Sequence, residues 1–163
     1  MIHCRPFSRS SAGGADPSGR IPARSEIPGE YTWDLDAIFP SSEAWEESCR
    51  VLGEELERLG GFNGRLFESP ETLLEFLKLE EAASERMGKI YAYAVMKSHE
   101  DTADAARQAR ADRAGSLLAS YGAVLSFYRP EILAAGKEKV NNAIKACPGL
   151  EMYRHHFDDL LRT

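Results

Sequence analysis

The sequence predicts an all-α fold, and three observations lead to that prediction. Apolar residues recur at intervals of three and four along most of the chain, which is the period of an amphipathic helix. Serine, proline and glycine stand at the positions where such helices begin and end. No stretch alternates apolar and polar residues as a half-buried strand does. We expect an antiparallel helical bundle with two long helices and three shorter ones, behind a disordered tail.

The composition narrows the classes of function. The chain has 163 residues, of which 43% are hydrophobic and 28% charged, as in ordinary globular proteins. Its formal net charge of −6 disfavours non-specific binding to nucleic acid or to an anionic membrane. No apolar run approaches the length of a transmembrane helix. We therefore expect neither a nucleic-acid partner nor a membrane partner.

The first 29 residues differ from the rest. They are rich in serine, glycine, proline and arginine, and they contain too few apolar residues to build a core. They also lack the apolar segment of a secretory signal. A flexible extension, or a start codon assigned too early, fits this composition better than a mitochondrial transit peptide. We predict a disordered tail over residues 1–29 and a helical domain over residues 30–163.

Two helices are expected in the first half of the domain. After an aromatic lead-in that ends at Pro40 and packs on the core, the first helix runs from Ser42 to Leu59, with Ser41 as its N-cap. Gly60 and Gly61 end it, because glycine adopts the left-handed conformation at little cost. The second helix begins at Pro70, after the cap residue Ser69, and runs to about Lys97.

The third helix pairs with the second. A turn at residues 99–102 separates the two, Asp101 or Thr102 caps the third helix, and the apolar pattern continues to about Tyr128. Each of the two helices is then roughly 40 Å long at 1.5 Å per residue. Because a short turn joins them, we expect them to be antiparallel.

Two shorter helices complete the predicted fold. One runs over residues 130–146 with an interruption near Gly136, and the other over residues 150–162. Apolar residues still recur at Leu160 and Leu161, with no glycine, proline or polar tail after them. This pattern predicts that the sequence is a fragment of a longer protein.

The histidines form no helical zinc motif. That motif needs two histidines four residues apart and a glutamate after the first. The nearest approach is His99-Glu100, which has Ala103 where the second histidine would stand. His155 and His156 are adjacent, so on a helix they point about 100° apart and cannot chelate one ion as an i, i+4 pair can. We therefore predict no catalytic, metal-binding or cofactor-binding residue in this chain.

Cysteine usage agrees with a reducing compartment. Cys4, Cys49 and Cys147 are odd in number and far apart, which is no disulfide framework. A cytoplasmic protein is the simplest interpretation. Cys49 falls on an apolar helix face and is expected to be a small core residue rather than a reactive thiol. His3 and Cys4 are adjacent, but two ligands make a weak metal site.

Two further sets of residues are candidates for binding. Tyr91 and Tyr93 are at helical spacing, where such residues belong to a core more often than to a peptide channel. Arg107, Arg110 and Arg113 fall near one helix face. This spacing is more typical of a solvated surface than of a contact with an acidic partner or a peptide carboxylate.

Five stretches occur in a recognisable order. They are Tyr31–Pro40, Trp45, Ile90–Ala94 with Lys97-Ser98 and Glu100–Thr102, Ser126–Leu133, and Tyr153–Arg162. In these stretches the chain resembles the N-terminal region of the oligoendopeptidase F family of zinc metallopeptidases. The resemblance covers the chain from about Glu30 to Thr163. Proteins of that family are helical, far longer than this chain, and enclose a channel that admits short peptides.

The resemblance implies a non-catalytic lobe. The family holds zinc in its C-terminal half on a helix with H-E-x-x-H, where two histidines bind the ion and the glutamate activates water. No residue of this chain matches those positions. The resemblance therefore implies a lobe that walls the channel, with the missing catalytic lobe as its partner. Whether the chain is an enzyme by itself is uncertain, since zinc is expected only in the full-length family.

Two other functions stay open at this point. The long helices suit a stand-alone module that presents a groove to a partner helix or peptide. A weaker alternative is a small metal-binding protein that uses His3, Cys4 and the pair His155-His156.

Overall fold

A computed structural model describes residues 26–162 of the chain. The chain divides into two units after Trp33. In the described part of the first unit, a 3-10 turn spans Gly29–Tyr31, and the hydroxyl of Thr32 donates to the carbonyl of Gly29 at 2.9 Å. The predicted disorder of the tail concerns residues that lie for the most part outside the described ones. The second unit holds the helices.

Five α-helices account for most of the second unit, and its described residues include no strand. They are α1 (Ser42–Gly60), α2 (Pro70–Glu100), α3 (Ala105–Val124), α4 (Tyr128–Ala146) and α5 (Arg154–Leu160). The all-α prediction is confirmed. Among the described helices, none combines the length and the apolar content that crossing a membrane requires.

The starts of the first two helices follow the sequence prediction. The Ser41 hydroxyl accepts the N–H of Ala44 at 3.2 Å, and the Ser69 hydroxyl accepts the N–H of Thr72 at 3.0 Å. Each bond satisfies one of the N–H groups that a helix leaves without an internal partner. The predicted end of α1 is wrong in its conformation, because Gly61 is right-handed, with φ −66°. The left-handed glycine is Gly64, with φ 77°.

The turn between α2 and α3 lies later than predicted. His99 and Glu100 belong to the last turn of α2, and the cap of α3 is Asp104 rather than Asp101 or Thr102. The Asp104 carboxylate accepts the N–H groups of Ala106 and Arg107 at 2.9 and 3.2 Å, so it satisfies two backbone donors at once. A carboxylate that serves two donors at a helix N-terminus is a strong start signal.

The helices in the second half of the unit begin and end at positions that differ in part from the prediction. The third helix does not run to Tyr128: a 3-10 turn over Leu125–Phe127 separates α3 from α4. Within α4, Gly136 has φ 72° and ψ 169°, which confirms the predicted interruption. The last helix is shorter than predicted, because Pro148–Tyr153 form a 3-10 helix before α5. Gly149 lies there against Leu74, where a Cβ would come within 2.7 Å of a methyl group.

Contacts between side chains establish the directions of the first three helices. Glu55 of α1 pairs with Arg86 of α2, and the Trp45 indole N–H donates to the carbonyl of Ile90. The residue number in α1 therefore rises along the contact as the residue number in α2 falls. The pairs Glu100–Arg107 and Glu80–Tyr121 give the same antiparallel relation for α2 and α3. Helix α2 therefore lies antiparallel to both of its neighbours, as the prediction of an antiparallel bundle requires.

The core is built on the central helix. Its largest side chains, each less than 2% exposed, include Trp45, Phe76 and Phe157. The ring of Phe76 lies 5.8 Å from that of Phe127 and 5.0 Å from that of Tyr128, which ties the second half of the unit to α2. Of the aromatic lead-in, Phe39 is buried edge-on against Tyr93 at 5.4 Å, as expected. The expectation is wrong for Tyr31 and Trp33, which are each 75% exposed.

Candidate functional site

The predicted row of arginines makes contacts within the chain, although the Arg113 side chain is still 50% exposed. Arg107 closes the hairpin of α2 and α3: its guanidinium pairs with Glu100 at 2.8 Å and with Asp104 at 3.1 Å, and donates to the carbonyl of Lys97 at 3.2 Å. These partners come from both helices and from the turn between them. Arg107 is therefore a structural clamp, and its charge is already balanced within the chain.

The other two arginines lie against α1. Arg113 pairs with Glu46, and its guanidinium lies over the Trp45 ring at 5.2 Å from the centroid. Arg110 lies over the same ring at 5.7 Å and donates to the hydroxyl of Ser42 at 3.1 Å. Cation–π contacts and one ion pair thus hold α3 to α1. The prediction of a solvated face missed them, because spacing along α3 does not show which neighbour its face meets.

The two adjacent histidines have separate partners, as the geometry of a helix requires. The Nε2 atom of His155 lies 3.3 Å from the Asp159 carboxylate, and its side chain is 87% exposed. His156 stacks on Tyr128 with the two rings 4° from parallel, and its Nε2 lies 2.8 Å from the tyrosine hydroxyl. Burial raises the pKa of that hydroxyl. His156 therefore links α5 to α4, whereas His155 interacts within α5, so the pair does not converge on a shared ligand.

Metal-binding side chains do not cluster in the part of the chain that the structure describes. Within residues 26–162, no three side chains of His, Cys, Asp or Glu lie close enough together to hold an ion. His99 is exposed at the end of α2, and the backbone N–H of Ala103 donates to the side chain of Asp101 in the adjacent turn. His3 and Cys4 lie outside the described residues. The donors within residues 26–162 therefore do not fit a zinc site.

Cys49 is buried in the core, as predicted. It is 4% exposed, and burial raises the pKa of its thiol to about 11. A thiol with so high a pKa carries almost no thiolate at neutral pH, and the thiolate is the reactive form. Cys147 is also a buried free cysteine. Neither residue has the setting of a nucleophile.

The two tyrosines of α2 have different surroundings. Tyr93 is 4% exposed and belongs to the core, whereas Tyr91 is 40% exposed. Tyr91 lies at one end of a groove between α2 and α3, which we call the α2–α3 groove. Its volume is about 600 Å³. Its lining residues are Tyr91, Val95, Ser98, His99, Thr102, Gln108, Ala111, Asp112, Gly115, Ser116 and Ala119.

The chemistry of the α2–α3 groove suits binding. Its two central serine hydroxyls donate to carbonyls of their own helices: Ser98 to Val95 at 2.8 Å, and Ser116 to Asp112 at 3.1 Å. Because each hydroxyl donates its proton to a carbonyl, neither donates it to a base that would activate it as a nucleophile. The groove is therefore a candidate site among the described residues, and it is an open surface suited to contact rather than to catalysis.

Sequence reasoning did not find the groove. The signal available was the spacing of Ala111, Gly115 and Ala119, each four residues apart on α3. Such a row of small residues lets a neighbour approach closely, but it occurs on buried and exposed faces alike. Only the position of α1 shows which face of α3 stays open.

Three comparisons with known proteins bear on these observations. Oligopeptidase PepF of Bacillus subtilis is 32% identical over 145 residues, which are 89% of this chain and 22% of that protein. Group B oligopeptidase PepB of Streptococcus agalactiae is 34% identical over 137 residues, 84% of this chain and 23% of the relative. No protein-family model matches the chain.

A solved structure agrees with the sequence comparison. The crystal structure of oligoendopeptidase-F from Enterococcus faecium superposes with a TM-score of 0.67 at 28% identity, over 74% of this chain and 24% of that one. The chain thus spans less than a quarter of the length of the curated relatives it matches. In sequence and in fold, this chain is similar to the oligoendopeptidase F proteins along one helical segment of their length.

Proposed function

We propose that this chain is the N-terminal, non-catalytic helical lobe of an oligoendopeptidase F-like zinc metallopeptidase that cleaves short peptides. The observation that carries the proposal is the contrast in coverage. The match extends over 84–89% of this chain but over only 22–23% of the oligopeptidases it resembles. A segment of that size accounts for a lobe and leaves the larger part of such an enzyme to supply the chemistry.

The proposed lack of activity follows from the side chains present. A zinc peptidase of this kind needs two histidines on one helix face and a glutamate that activates water. The sequence has no H-E-x-x-H, and His155 and His156 contact different residues. Because these donors do not fit a zinc site, we assign no step of peptide hydrolysis to this chain. Zinc belongs to the part of the enzyme that the match does not cover.

The proposed role of the lobe is to wall a channel that restricts substrates to short peptides. Its support is the shape of the segment: α2 has 31 residues and is flanked by antiparallel helices clamped through Arg107 and Trp45. Such a unit is long and is held at several points along its length. Its partner is the catalytic lobe. We also propose a cytoplasmic location, which the free thiols of Cys49 and Cys147 support.

A chimera tests the proposal directly. In it, this chain replaces the matching segment of the Bacillus subtilis relative, and the relative without that segment serves as the control. We expect the chimera to cleave short peptides, with activity removed by a chelator and restored by zinc. We expect neither the control nor the isolated chain to cleave them at any zinc concentration. A chimera that folds but is no more active than the control contradicts the proposal, as does hydrolysis by the isolated chain.

A further inference from the structure

We propose that the α2–α3 groove is the surface on which the rest of an oligoendopeptidase-sized protein docks, through a helix that carries small or apolar residues and one basic residue facing Asp112. The inference rests on the function proposed above and names the contact surface of the missing partner. Three observations carry it: the shape of the groove, its position opposite α1, and its charge.

The groove is open at its centre. A Cβ built on Gly115 meets no atom within 4 Å, and Ala119 beside it is exposed. Tyr91, on the other wall, keeps 40% of its surface exposed, and Leu118 on the adjoining face of α3 keeps 42%. A depression with a tyrosine on one wall and accessible backbone at Gly115 on the other lets another helix approach closely.

The position of the groove shows that one side of α3 is unfilled. Helix α3 has 20 residues, yet Ala114 is the one residue within it that is buried. Its arginine side is held to α1 by Arg113, Glu46 and the Trp45 ring. Most helical stability in proteins comes from packing of a helix face, so a helix packed on one side gains from a second partner. The groove is where that partner has access to both α2 and α3.

Charge narrows the chemistry of the partner. Asp112 is exposed on the groove wall, and the contact found for its carboxylate is a 3.3 Å hydrogen bond from the amide of Gln108. Residues 31–163 together hold 16 basic and 23 acidic side chains, a net charge of −7. A lysine or arginine on the docking helix would pair with Asp112 and reduce this excess of negative charge.

The occupant is part of the same enzyme rather than a second copy of this chain. The solved Enterococcus faecium relative matches this chain over 24% of its own length, so about three quarters of such a protein remains to be placed against the lobe. A second copy would bring the same acidic surface to Asp112, and like charges oppose that contact.

A matched pair of substitutions tests the inference. Gly115→Gln fills the groove, while Gly53→Gln makes the same change in α1; in both places the new Cβ meets no atom within 4 Å. Each change replaces a helical glycine with a better helix former. In the isolated chain we therefore expect unchanged or raised Tm for both variants. In the chimera described above we expect Gly115→Gln to lower Tm by about 2 °C or more and Gly53→Gln to leave it unchanged.

The outcomes separate this inference from the function on which it rests. An active chimera in which Gly115→Gln has no effect overturns the docking surface and leaves the proposed function intact. A chimera that folds but is inactive, with both glycines intact, contradicts the function and removes the basis for the docking surface. Loss of stability in the isolated chain on Gly115→Gln also overturns the inference, since the groove would then be part of the internal packing.

Two further measurements test the partner's chemistry. Asp112→Asn is expected to lower Tm of the chimera at low salt and to have less effect at high salt, because an ion pair is screened. An equal effect at both salt concentrations contradicts the basic partner. Sedimentation of the isolated chain with and without Gly115→Gln is expected to give the same oligomeric state. The result that would contradict this is a dimer of the unmodified chain that is lost in the variant. Such a dimer would instead identify a second copy as the occupant.

Discussion

The Glu131 carboxylate in the first turn of α4 accepts the backbone N–H of Leu66 at 2.8 Å, across 65 residues of sequence. Its other oxygen accepts the N–H of Gly64 at 2.9 Å. Gly64 has φ 77°, so the loop between α1 and α2 turns there to present both donors to one side chain. This contact ties the loop to the second half of the domain.

Glu131→Gln is expected to destabilise the fold by about 1–3 kcal/mol, because an amide offers one acceptor where the carboxylate offers two, and hydrogen bonds to charged groups are the stronger kind. Unfolding in urea measures the change. The control is Glu138→Gln, an exposed glutamate of the same helix, which should be near neutral. Equal effects of the two substitutions would show that the contact with the loop adds no stability.

The pair Glu55–Arg86 is expected to contribute more stability than the surface ion pairs. The Glu55 side chain is 10% exposed and receives two hydrogen bonds from Arg86, at 2.9 and 3.2 Å. Arg86→Met leaves a carboxylate in a mostly buried place without its cation, which should cost about 2–4 kcal/mol. Arg50→Met, at an exposed ion pair on α1, should cost much less.

The double variant with Glu55→Met and Arg86→Met completes this test. Removing both charges removes the desolvation cost as well, so we expect it to recover much of the stability that Arg86→Met loses. A double variant less stable than Arg86→Met alone would mean that the methionines pack poorly. The loss of stability would then come from packing rather than from an unpaired charge.

The charge of Asp104 is expected to make stability depend on pH in the acid range. The N–H of Arg107, followed by that of Ala106, helps to hold the pKa of this carboxyl below its ordinary value of 3.8. A lowered folded-state pKa means that the carboxylate stabilises the fold above the ordinary pKa, and that this contribution is lost as pH falls through the folded-state pKa.

Asp104→Asn isolates that contribution, because asparagine caps helices about as well as aspartate but carries no charge. We expect the wild-type chain to be more stable than the variant at pH 7, and the difference to disappear as pH falls below about 4. Urea unfolding at a series of pH values measures the difference. If the difference in stability between the wild-type chain and Asp104→Asn stays constant from pH 7 to pH 2, it comes from the geometry of the cap rather than from the charge of Asp104.

The buried thiols are expected to resist modification until the chain unfolds. At pH 8 a thiol with a pKa of about 11 has roughly one thiolate in a thousand molecules, and Cys49 is also closed to solvent. In a Cys4→Ser background, a thiol reagent should react slowly with the native protein and rapidly with two groups in denaturant. Adding Cys49→Ala should leave one group. Fast reaction of Cys49 in the native protein would show that its site opens frequently.

Local chemistry made several elements predictable from the sequence. Ser41 and Ser69 cap their helices, Pro70 begins α2, and Gly136 interrupts α4, as their side chains and backbone preferences indicate. The ends of α2 and α3 were less predictable. Asp101, Thr102 and Asp104 are all capable caps, and what selects Asp104 is Arg107, whose guanidinium contacts both Asp104 and Glu100.

The candidate site also divides into features that the sequence predicts and features that only the tertiary structure shows. The sequence by itself determined that no H-E-x-x-H is present and that adjacent histidines cannot share an ion, because both statements depend on spacing along one chain. Only the tertiary structure decided that Arg110 and Arg113 lie over Trp45, and that the opposite side of α3 forms an open groove beside Tyr91. The physical reason is that helical periodicity places residues on faces, whereas the packing of α1 against α2 and α3 determines which face is covered.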